Sequence, residues 1–348
     1  MKVGLVCDVA FDEFSARFRD QISRSDFAVR FLNKMTDPKT ALAYESILAR
    51  SRKLHRFILV TIGATLCLVG WGGFVTSINA GLSVPDWPTS FNSWDPFSPF
   101  PGWWTHTPVL AEHGHRLLGT LVGLLTLVLA FWILRVDPRL GVKGLGVMAL
   151  VVVILQGVLG GLRVVLVSLD LAVVHAVTAQ IFLALLVTLA VMTSTGWMTR
   201  SDRTELPDER NKLAKWAIVT ALAILAQIVL GALLRHPGAG IDVFLAIGHI
   251  AGATVVFAVT FRLILIGLDG HRDDERLRRG LMGIMFVLTL QVILGITAYF
   301  VLLSQSGLLV PSNLQVVVNS LHVVVGAVLW GTAVAIAVWA HAIPEKHE

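Results

Sequence analysis

Four histidines in this sequence could do chemistry together: His115, His175, His249 and His322, each a few residues into a long apolar stretch. An ionisable side chain inside such a stretch is costly and usually faces an interior partner. A lone one is most simply a hydrogen-bonding core residue, but four at a matching depth point to a ligand. Neutral imidazole binds haem iron, zinc or copper. One turn beyond each histidine the residue is small, namely Gly119, Ala179, Ala253 and Gly326. That clearance suits a flat macrocycle lying along a helix, although small residues four apart also mark plain helix packing.

Glu112 stands three residues before His115 and shares its helical face. It reads either as a helix-start carboxylate favoured by the macrodipole or as an acid or base beside the ligand. No carboxylate holds the matching position before His175, His249 or His322. Arg163 and Arg235 close the outer ends of two apolar stretches. A guanidinium binds a carboxylate bidentately, so both are candidate partners for haem propionates, with interfacial snorkelling as the competing reading. His113 is turned away from the face of Glu112 and His115 and reads as interfacial. His106 and His236 fall in or beside outer loops, and His55, His271, His341 and His347 toward the opposite side. Trp87, Trp103 and Trp104 fit an aromatic belt.

The elements that must position these residues are membrane spans. Hydrophobic residues make up 55% of 348 positions and charged residues 15%, which excludes an ordinary soluble domain. A span needs about 20 apolar residues, and eight stretches qualify: 57 to 78, 112 to 134, 144 to 166, 169 to 194, 214 to 235, 241 to 267, 280 to 303 and 314 to 340. The third and fourth are together too long for one crossing, so the region of Ser168 and Asp170 is expected to form a tight helical hairpin. The net charge of +5 does not point to nucleic acid, because the basic residues are sorted by loop. They cluster before the first span and after the second, fourth and sixth, while the loop from Asn79 to Ala111 holds no Lys or Arg. Both termini are therefore expected to be cytoplasmic. Cys7 and Cys67 would sit in different environments, so no disulfide is expected.

Three odd-numbered spans share a pattern in their outer halves: Gln156 to Gly160, Gln227 to Gly231 and Gln291 to Gly295. The first span carries a degenerate counterpart, Val69 to Gly73. Each pattern precedes an even-numbered span with its histidine, so the expected fold is an all-α integral membrane protein of eight helices in two pseudo-symmetric four-helix bundles. The expected boundaries are a cytoplasmic tail at 1–53, with an alternative start at Met35, a first half at 54–196, a cytoplasmic linker at 197–213, a second half at 214–341 and a tail at 342–348.

The stretch Gly81 to Pro88 (Gly-Leu-Ser-Val-Pro-Asp-Trp-Pro), the box Glu112-His-Gly-His-Arg116, Gln156 to Arg163 with His175, and later Gly248-His249 and Leu321-His322 resemble the haem A synthase family. The resemblance covers about residues 54 to 340. It implies oxidation of the ring D methyl of haem O to a formyl group, giving haem A for a terminal oxidase. It further implies haem b as cofactor on His249 and His322, haem O as substrate on His115 and His175, and a catalytic carboxylate at Glu112. The partners it implies are haem O synthase and oxidase assembly factors in the cell inner membrane, with homo-oligomerisation left open. Some members carry a cysteine pair in the first outer loop. Here the loop has Ser83 and Val84 instead, which excludes a thiol-linked mechanism. Two other functions remain open on these residues: a bis-histidine electron-transfer cytochrome, and a protein that delivers haem O without oxidising it.

Overall fold

Eight apolar runs longer than a bilayer core is thick become eight helices. Among the described residues there is no strand, only an isolated bridge between Ser90 and Ser93. A computed structural model of the protein describes residues 38–97, 99–198, 207–235, 243–270, 274–304 and 311–341, without side-chain environments at 38–50, 207–210 and 270. The helices are α1 (Pro38–Ser77), α2 (Thr107–Val136), α3 (Leu140–Val165), α4 (Leu169–Thr193), α5 (Pro207–Arg235), α6 (Val243–Gly270), α7 (Glu275–Ser304) and α8 (Asn313–Ala340). The apolar spans within them run 25 to 30 residues. At about 1.5 Å per residue each exceeds the roughly 30 Å of hydrocarbon in a bilayer. The chain is therefore a multi-pass membrane protein of eight spans.

The chain divides into two units, Met1–Lys53 and Leu54–Glu348. Met35, Cys7, His236, His271, His347 and residues 199–206 of the linker expected at 197–213 lie outside the described residues. Cys67 is a free thiol.

The turns end where the sequence forces them to. Pro108 opens α2 in its first turn, where a missing N–H leaves no bond unmade. Asp137 and Pro138 stop that helix. The Asp137 carboxylate takes hydrogen bonds from the Arg139 backbone (2.9 Å) and guanidinium (2.6 and 3.0 Å), and Arg139 Nη1 donates to Met192 O at 2.9 Å. This pins the α2–α3 turn to the end of α4. The hairpin expected at Ser168 is present: Val167 takes a left-handed conformation (φ 49°), and Ser168 caps α4 by accepting from Leu171 N at 3.2 Å. Asp170 sits in the first turn of α4, where the helix dipole favours a carboxylate.

The core lies between helices, and the lipid-facing positions stay apolar. Leu54, Ile58, Leu129, Ile133, Leu186 and Leu189 form one buried cluster. Ile224, Leu263, Leu281, Ile284, Trp330 and Leu183 belong to another, against which Ile62 and Leu66 of α1 also pack. Helix α8 packs on α4, α5 and α7 and meets α1 so closely that a methyl group on Gly73 would lie 3.3 Å from the Ser320 Cα. Trp330 donates to the Gln180 carbonyl of α4 at 2.8 Å. Such close backbone approach is how membrane helices associate where burial from water gives no drive.

Candidate functional site

Each of the four histidines lies against a glycine of the preceding helix. A methyl group on Gly72 (α1), Gly160 (α3), Gly231 (α5) or Gly295 (α7) would stand 3.0, 3.2, 3.0 or 3.1 Å from Cε1 of His115, His175, His249 or His322 respectively. Three of these helices carry a glutamine one turn earlier. Gln156 Nε2 donates to His175 O (3.0 Å) and Gln227 Nε2 to His249 O (2.7 Å). Gln227 Nε2 also lies 3.2 Å from His249 Nδ1, and Gln291 Nε2 lies 3.2 Å from His322 Nε2. The counterpart in α1 is one residue earlier than its glycine-rich sequence implied. Gly72 meets the imidazole, Gly73 meets α8, and the glutamine position falls on Leu68.

The histidines come together in pairs. The rings of His249 and His322 have centroids 6.4 Å apart at 66°, and His115 and His175 lie within electrostatic reach of each other. Two metal–nitrogen bonds of about 2.0 Å and two half-rings of about 1 Å span about 6 Å, so the separation of the His249 and His322 rings matches that of two imidazoles on one metal ion. Nδ1 of His115 and of His322 is buried with no hydrogen-bond partner among the described residues, an expensive condition that ligation would remove. Among the described residues no three metal-ligating side chains converge. A tetrahedral zinc site would be two ligands short, whereas haem brings four nitrogens of its own and needs only an axial pair. The donor set fits haem.

The clearance expected beside the histidines is only partly open. Nothing stands within 4 Å of a methyl group placed on Gly119, but Gly326 is filled by the Gln291 amide, 3.1 Å from such a methyl, and Gly252 likewise faces Gln227. Of the expected small residues of the second pair, Gly326 therefore admits a glutamine, and Gly252, next to Ala253, admits the other.

Glu112 is 4% exposed and both carboxylate oxygens are engaged. Oε2 accepts from Val84 N at 2.9 Å and Oε1 from Arg116 Nη2 at 3.1 Å. Arg116 continues into the outer loop, donating to Val84 O (2.9 Å), Asp86 O (2.7 Å) and Thr89 O (3.0 Å). Glu112 thus holds a loop over the outer end of α2 as well as sharing a helix with His115. In that loop burial pushes the Asp86 carboxyl upward. Hydrogen bonds from the Thr89 hydroxyl and the Asn92 and Phe91 amides outweigh it and hold the group below the usual carboxylate range.

His113 is buried, not interfacial. One ring nitrogen meets Ser90 Oγ at 3.1 Å, the other Pro96 O at 2.8 Å, and Trp103 packs edge-on at 4.8 Å. Trp103 is itself buried and donates to Phe97 O at 2.9 Å, and Trp87 lies directly on Gly161 of α3. Of the three expected belt tryptophans only Trp104 is mainly exposed, at 58%. Arg163 donates to Gly81 O at 2.9 Å and lies within electrostatic reach of Glu112. Arg235 reaches Gly73 O (2.6 Å), Ser77 Oγ and Asn319 O (3.4 Å).

A family model described as cytochrome oxidase assembly protein matches residues 55–249, more than half of the chain and three of the four histidines. The chain belongs to that family. Among its relatives are proteins named haem A synthase. One from an Exiguobacterium species is 25% identical over 261 residues, covering 70% of this chain and 81% of the relative. One from Methylobacterium radiotolerans is 26% identical, covering 55% and 59%, and one from Symbiobacterium thermophilum 29% identical, covering 54% and 61%. The chain thus spans about three fifths of the latter two. Sequence reasoning missed Arg116 and His113 as loop anchors. Their signal was the long loop free of Lys and Arg, whose many backbone groups need partners.

Proposed function

We propose that this protein is a haem A synthase, oxidising the ring D methyl of haem O to a formyl group. The observation that carries the reading is the pairing of the four imidazoles, with Glu112 beside only one pair. Family membership and the names of the relatives support the same reaction. In this proposal His249 and His322 hold a resident haem b, while His115 and His175 receive haem O. Haem b bound there supplies one-electron redox chemistry. The protein's own groups do the rest. Helices α1 to α4 present the substrate pair, in an expected pseudo-symmetric relation to α5 to α8. Arg163 closes the first site beside the outer loop and has guanidinium donors left for a propionate. Glu112 lies one helical turn from His115, where a carboxylate stabilises positive charge or takes a proton as the methyl is oxidised. The paired sites lie toward the outer face of an inner membrane, with both termini cytoplasmic, and terminal oxidase assembly is the destination of the product.

A second reading has one observation in its favour. Glu112 has both oxygens occupied by Val84 and Arg116, so its asymmetric position follows from anchoring a loop, which an electron-transfer cytochrome or a haem O delivery protein could equally need. The test is to purify the protein from membranes that also make haem O and separate the extracted haems by chromatography. Haem b with hydroxylated haem O or haem A is expected. Haem b alone would favour the electron carrier, haem O alone the delivery protein, and no haem would refute the ligand assignment.

A further inference from the structure

Two glutamine–glycine units lie against the rings of His249 and His322, and nothing in the reaction proposed above uses them. Gly231 and Gly295 sit so near the imidazole Cε1 atoms, 3.0 and 3.1 Å from a methyl placed on either, that a side chain would turn the ring. Gln227 lies 3.2 Å from His249 Nδ1 and Gln291 3.2 Å from His322 Nε2. Each glutamine also has a buried Oε1 with no hydrogen-bond partner among the described residues. A histidine that binds metal through one ring nitrogen carries its proton on the other, and that N–H is normally given to an acceptor that orients the ring and raises its basicity. A primary amide turned half a revolution about its last bond exchanges donor for acceptor. On Gln291 the orphaned oxygen can take this proton with no other amide bond given up; on Gln227 the turn exchanges the amide's bond to the His249 carbonyl, at 2.7 Å, for the ring proton.

We propose that Gln227 with Gly231, and Gln291 with Gly295, are positioning residues for the axial histidines: the glycine sets the rotation of each imidazole, and the glutamine oxygen accepts the proton of its non-ligating nitrogen. The unit spans one turn of an odd-numbered helix and acts on the helix that follows. This inference rests on the reading of His249 and His322 as haem ligands.

The test uses the full-length protein purified from membranes, with haem content, the low-spin electron paramagnetic resonance spectrum and the midpoint potential as readouts. His249→Ala is the ligand control and should lose the low-spin signal. Gln227→Leu and Gln291→Leu should weaken haem retention by about tenfold or more, the usual effect of losing an outer partner of a metal ligand, and raise the potential of the haem that stays. Gln227→Glu and Gln291→Glu keep the shape and strengthen the acceptor, so they should lower it. Shifts in opposite directions cannot come from misfolding. Gly231→Ala and Gly295→Ala should alter the resonance g-values. Wild-type protein without haem, or His249→Ala with an unchanged spectrum, would overturn the ligand reading and this inference together. Loss of signal in His249→Ala with all glutamine and glycine variants at wild-type values would overturn this inference alone.

Discussion

Replacing Glu112 separates chemistry from architecture only if the right residue is substituted. Glu112→Ala removes the acceptor for Val84 N and for Arg116 Nη2, at 2.9 and 3.1 Å. Hydrogen bonds to a charged group contribute about 1.5–3 kcal/mol each. Arg116 keeps its three loop carbonyls, so the anchoring lost is near the lower bound, about 3 kcal/mol in all. That alone shifts the loop equilibrium by roughly 100-fold, the same size as the about 10²- to 10⁴-fold expected for a missing acid or base. The alanine variant therefore cannot decide between the roles. Glu112→Gln keeps an oxygen for Val84 and misplaces an amide against Arg116, a loss of about 1.4 kcal/mol or tenfold. It also removes the carboxylate outright. If Glu112 does acid–base work, the glutamine variant should make haem A as poorly as the alanine variant while retaining haem b. The assay is chromatography of haems from membranes supplied with haem O. Haem A formation by Glu112→Gln within about tenfold of wild type, alongside a dead Glu112→Ala, would refute the catalytic role and leave Glu112 a loop anchor.

The Asp86 carboxyl, held below its usual range mainly against the effect of burial, makes the outer loop acid-sensitive. Its stabilising contribution is complete above the unfolded value of about 3.9 and is lost as pH falls through the lower folded value. Limited proteolysis of the loop should therefore quicken at the acid end of that window, and Asp86→Asn should remove the dependence. Gly161→Ala places a methyl group within the Trp87 indole, and overpacking of this kind typically costs about 1–3 kcal/mol. The thermal midpoint should fall. Adding Trp87→Ala should recover part of the loss, and simple additivity of the two changes would show that the contact is not made in solution.

The eight helices were legible because span length is one-dimensional information: an apolar run of sufficient length has few other fates. The Ser168 hairpin was legible for the same reason, with a capping residue at hand. The histidine set could be read because one ionisable group recurred at one depth in four helices. The register of α1 could not be read, since Gly70, Gly72 and Gly73 offer several alignments and Leu68 removes the glutamine that fixes the others. His113 was misplaced by a sound argument about helix faces. A residue two positions from His115 does point elsewhere, but the 29-residue loop of residues 78–106 folds back over that other face. Tertiary cover of this kind leaves no periodic trace in the sequence. The same loop takes Trp103 and part of Trp87 out of the expected belt.

The two arginines at the outer ends of α3 and α5 show why similar units need not make equivalent sites. Arg235 is fixed to α1 and α8 through two backbone carbonyls and the Ser77 hydroxyl, so freeing it would disturb the packing of α8, which carries His322. Arg163 donates to a single carbonyl, Gly81, in a loop held by Glu112 and Arg116. A guanidinium with one loop partner can exchange it for a propionate when the loop moves, whereas one buried among helix carbonyls cannot do so cheaply. The first site has one glutamine, Gln156 on His175, and open space beside Gly119 because α1 carries Leu68 at the matching position, where the second site has glutamines on both histidines. Both differences support the same division of labour: a first site that admits and releases its porphyrin, and a second that holds one in place.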